Sequence, residues 1–180
     1  MKEGGSLART LLAGQVNAVN PPDLSRLLAR ELATLRDELL AYPDERAIWV
    51  LPAGLPNSAG TLALHLAGNL RWFIGTQLGA TGYVRDREAE FARRDVPRTE
   101  LIANVEAAAD EVTRTLATLD PAVMDAPYPL EVGGLRLLTG RFLMHLEGHF
   151  AYHLGQLDYH RRIVTGNSAS VGALPLPPLA

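Results

Sequence analysis

The sequence predicts an all-α fold, a four-helix bundle with long connections. Three observations predict it. Leucine, valine and alanine recur at threes and fours along four long stretches, proline and glycine punctuate those stretches, and long segments follow the second and third of them.

Residues 1–20 have weak periodicity and run into Pro21-Pro22. They read as an N-terminal arm before a bundle domain over 21–166, with a C-terminal tail over 167–180 rich in Pro, Leu, Ala and Gly. Behind Pro21-Pro22-Asp23, the residues Leu24, Leu27, Leu28, Leu32, Leu35, Leu39 and Leu40 mark an amphipathic helix over 22–42, stopped at Tyr42-Pro43. The segment 48–57, with Trp49, two prolines and a glycine, reads as an ordered connection across one end of the bundle. Ser58 then suits an N-cap, opening a helix over 58–79 whose inward face carries Leu62, His65, Leu66, Asn69, Trp72 and Phe73.

Residues 83–95 form a charged segment, densest at Arg85-Asp86-Arg87-Glu88 and read as an ion-pair cluster that pins a long loop. Pro97 to Glu100 starts a third helix over 98–118, carried by Leu101, Val105, Ala108, Val112 and Leu116 and ended by Asp120-Pro121. Between 121 and 139, repeated proline and the Gly133-Gly134 pair suggest a hairpin-like excursion. A fourth helix runs over 139–165 and ends at Gly166-Asn167. Gly148, Ala151 and Gly155 share one of its faces. Since glycine inside a helix costs about 1 kcal/mol relative to alanine, they imply close approach of another helix, within the bundle or across a homodimer.

Composition narrows the function. The chain has 180 residues, 47% of them hydrophobic and 21% charged, which suits one globular domain with its own core. Its 17 basic residues are interspersed with 20 acidic ones for a net charge of −3, so there is no stripe to track phosphates and nucleic acid is not an expected partner. Cysteine is absent, which excludes disulfides, thiolate metal sites and a cysteine nucleophile. Apolar runs are interrupted well before bilayer length, and Lys2 is followed by no signal-like apolar segment, so the expectation is a cytoplasmic protein without a membrane partner. No phosphate-binding glycine loop, nucleophile elbow or Ser/His/Asp set is evident, and the sequence identifies no catalytic residue.

Four of the five histidines lie in the fourth helix, at 145, 149, 153 and 160. At about 100° per residue they fall at roughly 0°, 40°, 80° and 60°, one stripe joined by Gln156 at about 20° and flanked by Leu146, Phe150 and Leu157. The stripe faces inward or toward a core-lined cleft. Two histidines spaced i,i+4 offer two imidazoles to one metal, although inward histidines are often satisfied core residues. His65 is the remaining histidine and lies on the inward face of the second helix, so it is the candidate third ligand. A three-histidine site would keep coordination positions open for water or substrate.

Three segments in this order resemble the DinB-like (DinB/YfiT) superfamily of metal-binding four-helix bundles. They are Ser58 to Trp72, Arg85 to Phe91, and the run His149-Phe150-Ala151-Tyr152-His153-Leu154-Gly155-Gln156. The resemblance spans about Asp23 to Ile163. It implies metal ligands His65, His149 and His153, and one divalent transition metal, zinc or nickel foremost, with iron or copper also suited to imidazole. His145 extends the histidine pair by a turn and could hydrogen-bond to the ligating groups from outside, replace one of the ligands or belong to the core, the first being the favoured reading. Asn69 and Gln156 could orient waters on the ligating rings or simply line an end of the core. Trp72 could wall a ligand pocket or belong to the core.

The resemblance further implies a metal-dependent thiol S-transferase or isomerase acting with a low-molecular-weight thiol. The alternative is a non-catalytic metal or small-ligand binding protein of stress response. A homodimer is expected in either case.

Overall fold

The first long helix begins where the sequence stops offering backbone donors. In the computed structural model, which describes residues 20–172 and 174–177, the Asn20 side chain accepts from the Asp23 amide at 2.9 Å, and Pro21 and Pro22 occupy the first helical positions. Residues 1–19 of the expected N-terminal arm lie outside the described residues. Helix α1 (Pro21–Leu40) buries Leu24, Leu28, Leu32, Leu35 and Leu39, while Leu40 is exposed. It ends with its last leucine, two residues short of the expected stop at Tyr42-Pro43.

Helix α2 (Ala59–Leu70) is capped by Ser58, whose hydroxyl accepts from the Thr61 amide, and all twelve of its residues are buried. It does not run evenly to residue 79. The chain widens into a π-helical turn over Arg71–Thr76, returns to an α-turn over Gln77–Gly79, and stops at Ala80 in the left-handed conformation. Neighbours in the next long helix explain the tight packing here: a Cβ on Gly75 would press on Glu111, and one on Gly79 would collide with Thr115.

Within the charged segment, a short helix α3 (Arg87–Ala92) forms that the sequence reading did not anticipate, capped by the Asp86 side chain on the Ala89 amide at 2.9 Å. Helix α4 (Arg98–Thr118) buries Leu101, Val105, Ala108, Val112 and Leu116. The excursion between residues 121 and 139 contains a 3-10 turn over Pro121–Asp125 and two isolated antiparallel bridges, Pro127 with Leu138 and Val132 with Leu135. Gly133 and Gly134, both at positive φ, make the tight turn between them, the backbone that paired glycines adopt at low cost. The described residues contain no strand.

Helix α5 (Thr139–Thr165) closes the bundle-like packing. Helix α1 lies on α4 and α5, α2 lies on α4, α5 and α3, and one continuous apolar core runs between them. Residue pairs set α2 and α5 antiparallel: Phe73 meets Phe142 edge-on at 5.2 Å, and His65, two turns earlier on α2, meets His149, two turns later on α5. Near the far end of α5, the fully buried Arg161 ion-pairs with Glu38 of α1 and also donates to Asp158 and to the Ala169 carbonyl. No helix among the described residues is long and apolar enough to cross a membrane.

The small-residue face of α5 differs from expectation within the chain. Among the described residues a Cβ on Gly148 or Gly155 would have nothing within 4 Å, so neither glycine is in close contact with another described helix, although Gly155 borders a groove shared with Thr34 and Glu38 of α1. The core side of α5 is instead the Phe142, Leu146, Phe150, Leu157 face on the opposite side.

Candidate metal centre

Three imidazoles converge at the edge of the core between α2 and α5. His65 is buried among the apolar residues of α2, and His149 and His153, one turn apart on α5, are half-buried beside it. Each offers a ring nitrogen such that the three atoms lie within 4.8 Å of one another, and among the described residues this is the only such cluster. The His65 and His149 Nε2 atoms are 3.3 Å apart. Metal–nitrogen bonds of about 2.0–2.1 Å in tetrahedral geometry would set two ligand nitrogens roughly 3.3–3.4 Å apart, so the observed spacing suits a shared ion. The rings cross nearly edge to face, His149 over His153 at 4.6 Å and His65 over His153 at 5.5 Å, which lets their nitrogens meet without stacking the ring faces.

The outer nitrogens are already committed. His65 Nδ1 lies 3.0 Å from Glu90 Oε2, and Arg85 grips the same carboxylate with its Nε at 2.7 Å and its Nη2 at 2.8 Å. Burial alone would raise the Glu90 carboxyl, but the hydrogen bonds from Arg85 and His65 outweigh it and hold Glu90 below the ordinary carboxylate range. An ionised Glu90 only accepts, so its contact places a proton on His65 Nδ1, which Arg85 Nη2 also approaches at 3.3 Å, and the Nδ1–H tautomer of the imidazole is the one that offers Nε2 to a metal. On the other side, His153 Nδ1 donates to Gln156 Oε1 at 2.7 Å, which likewise frees His153 Nε2. Phe91 of α3 packs on the His65 ring at 4.9 Å.

Electrostatics keep the α5 pair neutral. Burial, then the neighbouring His153, His65, His145 and Arg85, push His149 down to about 4. Burial also lowers His153, against the hydrogen bond of Gln156 and together with His65. Neutral imidazoles are the form that ligates metal. The donor set, three nitrogens and no thiolate, suits zinc, nickel, copper or iron alike.

The other residues singled out from sequence fall in different places. Gln156 bonds directly to a clustered ring. His145 is exposed, 6.3 Å from the His149 ring and stacked at 6.1 Å on Phe142, outside the three-nitrogen group. Asn69 is buried one turn beyond His65 with its Oδ1 unpartnered, and Trp72 is half-buried in the π-helical turn. His160 belongs to the core: its Nδ1 meets the Tyr42 hydroxyl at 2.7 Å and its Nε2 donates to the Val50 carbonyl at 2.8 Å. Trp49 packs over Gly60 and donates to the Val96 carbonyl.

Glu90 and Arg85 are the residues whose place at the site sequence reasoning missed. The charged segment 83–95 is expected to hold loop ion pairs, and Arg85 and Glu90 do pair, but the same carboxylate reaches His65. The signal available was the Arg85–Phe91 segment, shared in order with the segments that carry the histidines. No protein-family model, curated protein or solved structure matches the chain.

Proposed function

We propose that the chain is a DinB-like four-helix-bundle protein that holds one divalent transition metal on His65 Nε2, His149 and His153, and uses it on a low-molecular-weight thiol as an S-transferase or isomerase. The observation that carries the metal reading is the convergence of the three imidazoles with the Nδ1 atoms of His65 and His153 tied back to Glu90 and Gln156. The 3.3 Å between His65 Nε2 and His149 Nε2 fits either one imidazole donating to the other or both nitrogens on one ion, and the third ring, His153, within 4.8 Å favours the ion. The thiol reading rests on the resemblance of the three ordered segments.

When bound, a divalent ion with an open position lowers the pKa of a coordinated thiol and so favours thiolate at neutral pH. The chain supplies the rest. Glu90 and Arg85 fix the tautomer and angle of His65, Gln156 does the same for His153, and Phe91 shields one face of the His65 ring. With three protein ligands, at least one position is left to water or substrate. The exposed Gly148 and Gly155 face of α5 supports a homodimer, which sedimentation of the wild type against a Gly155→Trp variant tests.

Elemental analysis of untagged protein tests the metal. The expected result is one equivalent in the wild type and loss in His65→Ala, His149→Ala and His153→Ala. Metal content that survives all three substitutions overturns the site. Metal-dependent turnover of a thiol with an electrophile then separates an enzyme from a binding protein.

A further inference from the structure

We infer that the cavity beside Gln156 seats an apolar group of the ligand held at the metal centre. The ligand class is then a small molecule with a metal-binding donor atom about 3–9 Å, two to six residues of helical rise, from a compact hydrocarbon group. This rests on the metal reading above and adds what the ligand looks like.

The cavity, of about 140 Å³, opens between the connection that precedes α2 and the last turns of α5. Leu55, Pro56, Leu62, Tyr159 and Ile163 give it mostly apolar walls, and Asn57 and Gln156 are its polar lining besides His160. Leu62 is one turn before His65 on α2, and Gln156 is one turn after His153 on α5. Because these helices are antiparallel, both steps lead the same way along the bundle, from the imidazoles to the cavity. Gln156 belongs to both places, since its Oε1 accepts from His153 Nδ1 while its side chain borders the cavity.

The chemistry of the walls selects the occupant. His160 also lines the space, but both its ring nitrogens are satisfied by Tyr42 and Val50, so it offers a guest no free polar atom. Tyr159 and Ile163 are 69% and 58% exposed, so among the described residues the ring of one and the aliphatic side chain of the other stand largely uncovered. An apolar cavity of about 150 Å³ is enough to hold benzene, so a phenyl ring or a branched aliphatic group matches this one.

Two measurements on the full chain test the inference. With cobalt(II) loaded, the thiolate-to-cobalt absorption reads binding of 3-phenyl-1-propanethiol and of 1-propanethiol. The phenyl compound should bind about tenfold tighter or more, the range expected when an apolar pocket is filled. Ile163→Trp, which occupies the cavity, should collapse that ratio toward one. Equal affinities in the wild type, or a ratio that persists in Ile163→Trp, overturn the inference. Separately, toluene is titrated into metal-free protein while methyl resonances of Leu55, Leu62 and Ile163 are followed. Shifts confined to these methyls support the cavity as an apolar seat, and their absence overturns it. Failure to take up cobalt overturns the metal reading, and the toluene titration still decides the cavity.

Discussion

His65 Nδ1 donates to Glu90 Oε2 at 3.0 Å, a hydrogen bond between two buried side chains 25 residues apart. Its consequence is a fixed tautomer. Glu90→Gln keeps the shape but loses the charge, so the hydrogen bond that orients the His65 ring weakens. Metal affinity, measured by competition with a chromogenic chelator, should fall roughly 10–100-fold, the usual cost of losing such an outer partner. An unchanged affinity would remove Glu90 from the site.

Gly68 makes the same contact possible from the other side. A Cβ there would collide with Glu90 Oε1 and come within 3.2 Å of the Tyr83 hydroxyl. Gly68→Ala should therefore displace Glu90 and lower metal affinity about as far as Glu90→Gln does, with little further loss in the double variant because both act on one contact. Additive losses in the double variant would show that Gly68 acts elsewhere.

These contacts also mark where the sequence was legible and where it was not. The long helices could be read because each carries its own core face: Leu24, Leu28, Leu32, Leu35 and Leu39 repeat regardless of what they pack against. Helix α4 matched over 98–118 for the same reason, with Pro97 before it and Pro121 after. The π-helical turn at Arg71–Thr76 left no local mark, since it accompanies the close approach of Gly75 and Gly79 to Glu111 and Thr115 of another helix. Helix α3 was hidden because six residues rich in charge show no periodicity, although Asp86 is an ordinary N-cap. The histidine stripe was legible as geometry on one helix. That His160 turns to Tyr42, and that Glu90 turns to His65, depends on chain partners 118 and 25 residues away.

Arg161 predicts a stability effect independent of the metal. It is buried with Glu38 and joins α5 to α1 and, through the Ala169 carbonyl, to the tail. Arg161→Met leaves the Glu38 carboxylate buried without its counter-charge, which should cost about 3–5 kcal/mol in urea unfolding. Adding Glu38→Leu should restore much of the loss by removing the stranded charge. A loss below about 1 kcal/mol in Arg161→Met would mean that water or the tail solvates Glu38.

His149 sets a pH dependence whose direction can be worked out for the metal-free protein. Its folded-state value is pushed down to about 4 by burial and by the neighbouring His153, His65, His145 and Arg85, against an ordinary value of 6.5. Above pH ~6.5 the ring is neutral in both the folded and unfolded chain, so it adds no pH dependence. Between ~6.5 and ~4 the unfolded chain takes up a proton that the folded chain refuses, so stability falls as the pH falls. Below ~4 both forms are protonated and this contribution levels off. By pH 4.5 the loss should be on the order of 1–2 kcal/mol, discounted because the ring is only half-buried. Denaturant unfolding of chelator-treated protein from pH 7 to 4.5 measures it. His149→Leu should flatten the acid slope by that amount, and a slope equal to the wild type would show that His149 titrates normally. Proton competition for metal at His149 should set in near pH 4 and not near 6.5, so any loss of metal between these values must come from another group.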